Sequence, residues 1–108
     1  MWRATVIASL TLLTLASAAA AEEWRYCLAA AHDAHKVYIS SLFQTNGAME
    51  TIEAAFGRSL TQLGLEYDEV QCPRAESQAA LSAMQQYAIG FNREMGNRAI
   101  KMEWKPTR

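Results

Sequence analysis

Two cysteines behind an export leader constrain this chain more than any other feature. Met1, Trp2 and Arg3 place one positive charge ahead of an uncharged, mostly apolar run over residues 4–15. Residues 16–21 are small, and the first acid, Glu22, follows them. A basic start, an apolar core of about a dozen residues and an Ala-x-Ala junction make a secretory signal peptide, with cleavage expected after Ala21. A membrane-spanning helix takes about 20 apolar residues, more than this run supplies. The reading is a leader over 1–21, one small domain over 22–108, and no membrane span once the leader is gone. The expected compartment is periplasmic or secreted, and bacterial.

Cleavage leaves 87 of the 108 residues, enough for one modest core. Both cysteines, Cys27 and Cys72, stay with the mature part. In a small exported domain such a pair forms a disulfide. They are not a Cys-x-x-Cys redox pair, and two thiols alone do not complete a zinc site. Closing that loop contributes about 4 kcal/mol by the chain-entropy relation. In so small a core that is a large share of the net stability.

Charge excludes one class of partner. Arg3 leaves with the leader and all eleven acids remain, so the net charge moves from −1 to −2. Nucleic acid calls for a basic stripe, and none is present. Nor is there a reason to expect an anionic membrane surface.

Along the mature chain, residues 24–28 suit a strand, and residues 36–43 are β-branched and aromatic, a second strand. Asn46 or Gly47 can cap a helix with Glu50 in its first turn. Met49, Ile52, Phe56, Leu60 and Leu63 recur at helical spacing, and Gly64 is placed to end that helix. Residues 65–72 give a weaker third strand through Tyr67, Val70 and Cys72. Pro73 sits where a second helix would begin. Ala80, Met84, Tyr87, Phe91 and Met95 form its apolar stripe, with Gly96-Asn97 as the stop. Residues 100–105 alternate apolar and charged, a half-buried strand closed by Pro106.

The order is ββαβαβ. It predicts an α+β two-layer sandwich of four short strands, with both helices packed on one face of the sheet. Right-handed crossovers would make strands two, three and four mutually parallel.

Chemistry is thin. His32 and His35, with Asp33 between them, could begin a metal site, but the chain holds no further histidine to complete it. No serine sits in a Gly-x-Ser-x-Gly elbow. Glu50 and Glu53 lie three apart on a solvated helix flank, and no glycine-rich loop cradles phosphate. No catalytic residue and no cofactor is assigned.

Strand parity supplies the remaining clue. A Cys27–Cys72 bond on the helix-covered side turns Trp24 and Tyr26 to the open face. Val37, Ile39, Ser41 and Phe43 read as the inward set of strand two, which turns Tyr38 outward, and Tyr67 follows. Trp24, Tyr26, Tyr38 and Tyr67 are then a candidate binding face for glycan or protein. In the alternative, Trp24 and Tyr26 pack in the core beside Trp104, since one bulge inverts all later parity.

Tyr26-Cys27, Val37-Tyr38-Ile39-Ser40, Phe43 and Cys72-Pro73 together resemble small exported two-cysteine proteins of bacteria, over residues 24–95. The resemblance implies a strand–helix–strand unit bracketed by the cysteines and brings no activity with it. The two-layer plan is also similar to the SPOR peptidoglycan-binding domain at the level of fold. That domain runs βαββαβ, and no residue motif carries over. The functional expectation is a non-catalytic, disulfide-stabilised domain that binds an envelope protein or glycan, with a homodimer also open. Two other classes remain: an inhibitor of a secreted hydrolase inserting residues 32–35 or 44–47, and a metal-binding protein using His32 and His35.

Overall fold

The computed structural model describes residues 22–107, so the leader expected over 1–21 lies outside the described residues. The elements are β1 (Glu23–Arg25), β2 (Leu28–Ala31), β3 (Lys36–Ile39), β4 (Phe43–Thr45), α1 (Met49–Gln62), β5 (Glu69–Gln71), β6 (Arg74–Ala75), α2 (Gln78–Glu94) and β7 (Arg98–Lys101). The chain is α+β, with strands and helices interleaved as the sequence implies. β4-β1-β6 form one small sheet and β5-β2-β3-β7 another. The pairs β2–β3 and β2–β5 are antiparallel while β3–β7 is parallel, so β3, β5 and β7 run the same way.

Each of the first three expected strands is present but broken, and the breaks coincide. Leu28 pairs with Gln71 and Arg25 with Arg74 in one continuous register, which sets Cys27 opposite Cys72 and Tyr26 opposite Pro73. Tyr26 N–H donates to the Pro73 carbonyl at 3.3 Å, but proline has no N–H to return. Across the other side, Leu28 pairs with Ile39 and Arg25 with Phe43. Two residues, Tyr26 and Cys27, therefore face three, Ser40, Ser41 and Leu42. That is a β-bulge.

Ser40 repairs the ladder at this point. Its Oγ accepts the Cys27 N–H at 2.7 Å and donates to the Ser41 carbonyl at 2.9 Å, while its own N–H donates to the Cys27 carbonyl at 2.9 Å. The Ser40 carbonyl accepts from Gln85 Nε2 at 2.9 Å, which explains a buried glutamine on the inner side of α2. Pro73 is thus a strand residue, not a helix start. α2 begins five residues later, where Ser77 caps it by accepting the Ala80 N–H.

The two helices pack on opposite faces, not together on one. Ile52, Phe56 and Leu60 of α1 join Cys27, Ala29, Ala31, Tyr38, Phe43 and Cys72 in one core, with Ile100, Met102 and Trp104 against it. Leu81 and Ile89 of α2 join Tyr26, Ala30, Val37 and Ile39 in a second core on the reverse face. Val37 and Ile39 therefore face α2. The bulge turns Phe43 to the α1 side, so the inward set expected for strand two is divided.

Both helices end as their glycines predict. Gly64 and Gly96 take positive φ, at 74° and 85°. Leu65 N–H then reaches back to the Leu60 carbonyl and Asn97 N–H to the Asn92 carbonyl, satisfying the last turn of each helix. The start of α1 differs from expectation. Its cap is Ala48, with no side-chain hydrogen bond, rather than Asn46 or Gly47.

Gly57 is small for a reason of packing. A Cβ there would fall on the hydroxyl and ring of Tyr67, which lies across α1. Gly57→Ala gains helix propensity of about 1 kcal/mol but displaces the ring, at about 1–3 kcal/mol. Thermal melting should show net destabilisation. Gly57→Ala with Tyr67→Ala should cost less than the two single changes together.

Candidate functional site

The four aromatic residues expected on one open face do not share a surface. Tyr26 is 2% exposed on the α2 side and Tyr38 is 4% exposed on the α1 side. Burial also pushes the Tyr26 hydroxyl above the usual tyrosine range. Tyr67 is half-buried against α1, and Trp24 is half-buried on the α2 side. The cause is the placement of the helices: with one on each face, no strand face is left bare.

Cys27 and Cys72 are bonded, with their Cα atoms 4.0 Å apart at the centre of the α1-side core. This is the closer kind of antiparallel cross-strand pair. A disulfide at the heart of a compact domain fits an oxidising compartment outside the cytoplasm. No helix among the described residues is long and apolar enough to cross a membrane.

His32 and His35 bound the four-residue turn between β2 and β3. The His35 N–H donates to the His32 carbonyl at 3.1 Å, and His35 takes a left-handed conformation at φ 53°. The His32 N–H donates to Asp68 Oδ2 at 2.7 Å, and its ring lies 3.5 Å from Glu69. Those contacts fasten the hairpin to the start of β5. Among the described residues, no three His, Cys, Asp or Glu side chains converge as a metal cage.

Next to the disulfide lies a charge cluster in which Arg25 is buried, Glu23 partly exposed and Arg74 exposed. Arg25 Nη1 donates to the Cys72 carbonyl at 2.8 Å and Nη2 to Glu23 at 2.8 Å, while Arg74 donates to the other Glu23 oxygen at 2.6 Å. The hydrogen bond from Arg74, joined by the charges of both arginines, holds the Glu23 carboxyl below the usual glutamate range. The cluster locks β1 to β6.

Two surfaces remain uncovered, and sequence periodicity identified neither. The first is an open groove of about 1290 Å³ at the β4 end of the molecule. Phe43, Gln44 and Thr45 line one side, Thr51, Ala55, Arg58 and Gln62 of α1 the other, and Trp104 and Lys105 close it. Trp104 is fixed there by Phe43, edge-on at 5.9 Å, and by Phe56 at 4.9 Å. Trp24, opposite Gln44 in the ladder, lines the groove from the reverse face, so the groove runs round the strand edge.

That edge differs in character from the others. The β5–β6 side carries Glu69, Pro73 and Arg74, and β7 carries Arg98 and Lys101; charge and proline discourage further pairing. Leu42, Phe43, Gln44 and Thr45 hold neither. Trp24 turns its backbone toward β6, so Glu23 and Arg25 serve β4, and Gln44 points its N–H and C=O away from the sheet. The chain that covers β3 leaves the strand before Gln44, and its residues Lys105, Pro106 and Thr107 line the groove. Met102 N–H donates to the Ile39 carbonyl, Ser41 N–H to the Trp104 carbonyl, and Pro106 stands two residues further on.

The second uncovered surface is the outer side of α2. The stripe expected to be its core face is exposed: Met84 at 40%, Tyr87 at 75%, Phe91 at 51% and Met95 at 65%. Leu81, Gln85 and Ile89 are buried in its stead. The helix has two apolar sides, and the larger side chains are on the outer one.

Family models, curated proteins and solved structures were compared with the chain, and none matches. The two surfaces carry the functional reading by themselves.

Proposed function

We propose that this protein is a non-catalytic, exported interaction domain of the bacterial envelope that takes an extended polypeptide along the free edge of β4. One observation carries the reading: the single uncharged strand edge among the described residues borders the large groove. An added strand would hydrogen-bond to Gln44 N–H and C=O, occupying the lane that Trp104 leaves at Pro106. Alternate side chains would reach Trp104, Thr51 and Gln62 on the α1 face and Trp24 on the reverse face. Strand addition of this type draws affinity from main-chain bonds and specificity from pockets for alternate residues. The disulfide supports a periplasmic or secreted location.

A glycan is the second reading, favoured by Trp24 and Trp104 beside the hydroxyl, amide and guanidinium groups of Thr51, Gln62 and Arg58. One experiment separates them. The full-length product, purified with its disulfide intact, is screened against random decapeptides and titrated with a tetramer of N-acetylglucosamine. Gln44→Pro removes an outward N–H and no internal bond, so the fold should survive it. Peptides that bind wild type and lose at least tenfold in affinity with Gln44→Pro support strand addition. Sugar binding that survives Gln44→Pro but is lost with Arg58→Ala supports the glycan. No binding of either probe removes the groove as the working site.

A further inference from the structure

We infer that the outer side of α2 is a self-association surface and that its occupant is α2 of a second copy of this chain. The first reason is what the helix lacks. From Ser77 to Asn92 it carries no charged residue, although a helix with one face in water normally keeps that face charged. The second is what it presents. Met84, Tyr87, Phe91 and Met95 make a continuous ridge, and Tyr87 and Phe91 stack on each other at 6.5 Å between ring centres.

Shape points to a copy of itself. Beside the ridge, Ala79, Ala83 and Gly90 fall in one row at spacings of four and seven, a shallow furrow along the same helix. A Cβ at Gly90 would meet nothing within 4 Å. Under a twofold axis perpendicular to the helix, ridge meets ridge and furrow lies beside furrow, so the small residues let the two helices approach, as an isologous interface requires. An antiparallel pair centred near Tyr87 sets Met84 against Phe91 and the small Ala80 against Met95.

Charge and area agree with that orientation. Antiparallel pairing brings Glu76 of one copy to the end that carries Arg93 and Arg98, beside Glu94, of the other. Parallel pairing would place the arginine ends together. It also runs the helix dipoles alongside each other in the unfavourable sense. At their exposures, the two aromatic rings leave about 250 Å² open. With Met84, Met95 and the alanines, the ridge offers roughly 500 Å² a side, near the ~1,000 Å² total expected of a specific interface. An unoccupied patch of this size is also at the upper end for a monomer.

Sedimentation equilibrium of the exported, disulfide-bonded product from 1 to 100 µM tests this, those concentrations being chosen to span a weak dimer. The expected result is twice the chain mass at the upper concentrations. Tyr87→Glu with Phe91→Glu should be monomeric throughout, with the far-ultraviolet spectrum and melting midpoint of the monomer unchanged. Gly90→Arg enters open space in the monomer and folds regardless. It should weaken association at least a hundredfold by filling the furrow. A wild type that stays monomeric at 100 µM, or a dimer that persists in Gly90→Arg, overturns the proposal.

Discussion

Replacing Cys27 and Cys72 together by alanine is expected to lower stability by about 4 kcal/mol, the loop-closure value for a 45-residue separation. In a domain of this size that corresponds to a melting midpoint lower by roughly 15–30 °C. The structure gives a second reason for a large effect. Both sulfur-bearing residues are buried in the α1-side core, so truncation also removes packing there. And the disulfide spans the one place where the ladder is weakened on both sides, by Pro73 on one and by the bulge at Ser40 on the other. Thermal unfolding followed by circular dichroism, with and without reductant, checks this. A drop of less than about 5 °C would mean that the bond contributes little and that Ser40 and Arg25 hold the junction unaided.

Tyr38→Ala is the second large effect, about 3–4 kcal/mol by analogy with other aromatic truncations in cores. Tyr38 stands between Ala29 of β2 and Ile100 of β7, in the α1-side core. The small Ala29 leaves room for the ring, so its removal opens a cavity that neither neighbour can fill. Had Tyr38 been on an open face, the cost would lie within about 0.5 kcal/mol. Urea denaturation distinguishes the two outcomes. Tyr67→Ala, removing a half-buried ring, should cost less than Tyr38→Ala in the same assay.

Tyr38 also shows where sequence reasoning ended. The element order, the disulfide and the helix ends were legible, because each rests on local chemistry: strand-forming runs, a cysteine pair, and Gly64 and Gly96 at left-handed turns. The direction of a strand residue is not local. It depends on how many faces are covered, and the periodicity of α1 and α2 is the same whether they share one side or take opposite sides. The bulge at Ser40–Leu42 left no mark either, since the apolar alternation of strand two runs through it without a glycine.

The outer stripe of α2 was legible as a stripe but not as a surface. Periodicity selects the largest apolar side chains, and Met84, Tyr87, Phe91 and Met95 outweigh Leu81 and Ile89. The inner row also holds Gln85, a polar residue whose burial depends on the Ser40 carbonyl forty-five residues away. Charge does not separate the two rows either, because the helix is neutral on every side from Ser77 to Asn92. Which row is buried is set by the sheet it packs on, and that is not local.

Because α1 and α2 cover opposite sides of the sheet, a pair of molecules joined back to back through α2 would hold its two β4 clefts on its outer flanks. Such an assembly is bivalent. Ligands repeated along one polymer would be gripped at two points, and two weak grips joined this way can exceed either alone by about 10²–10⁴. A domain of this size would then hold firmly to a repetitive scaffold and pass over the same segment when it occurs singly.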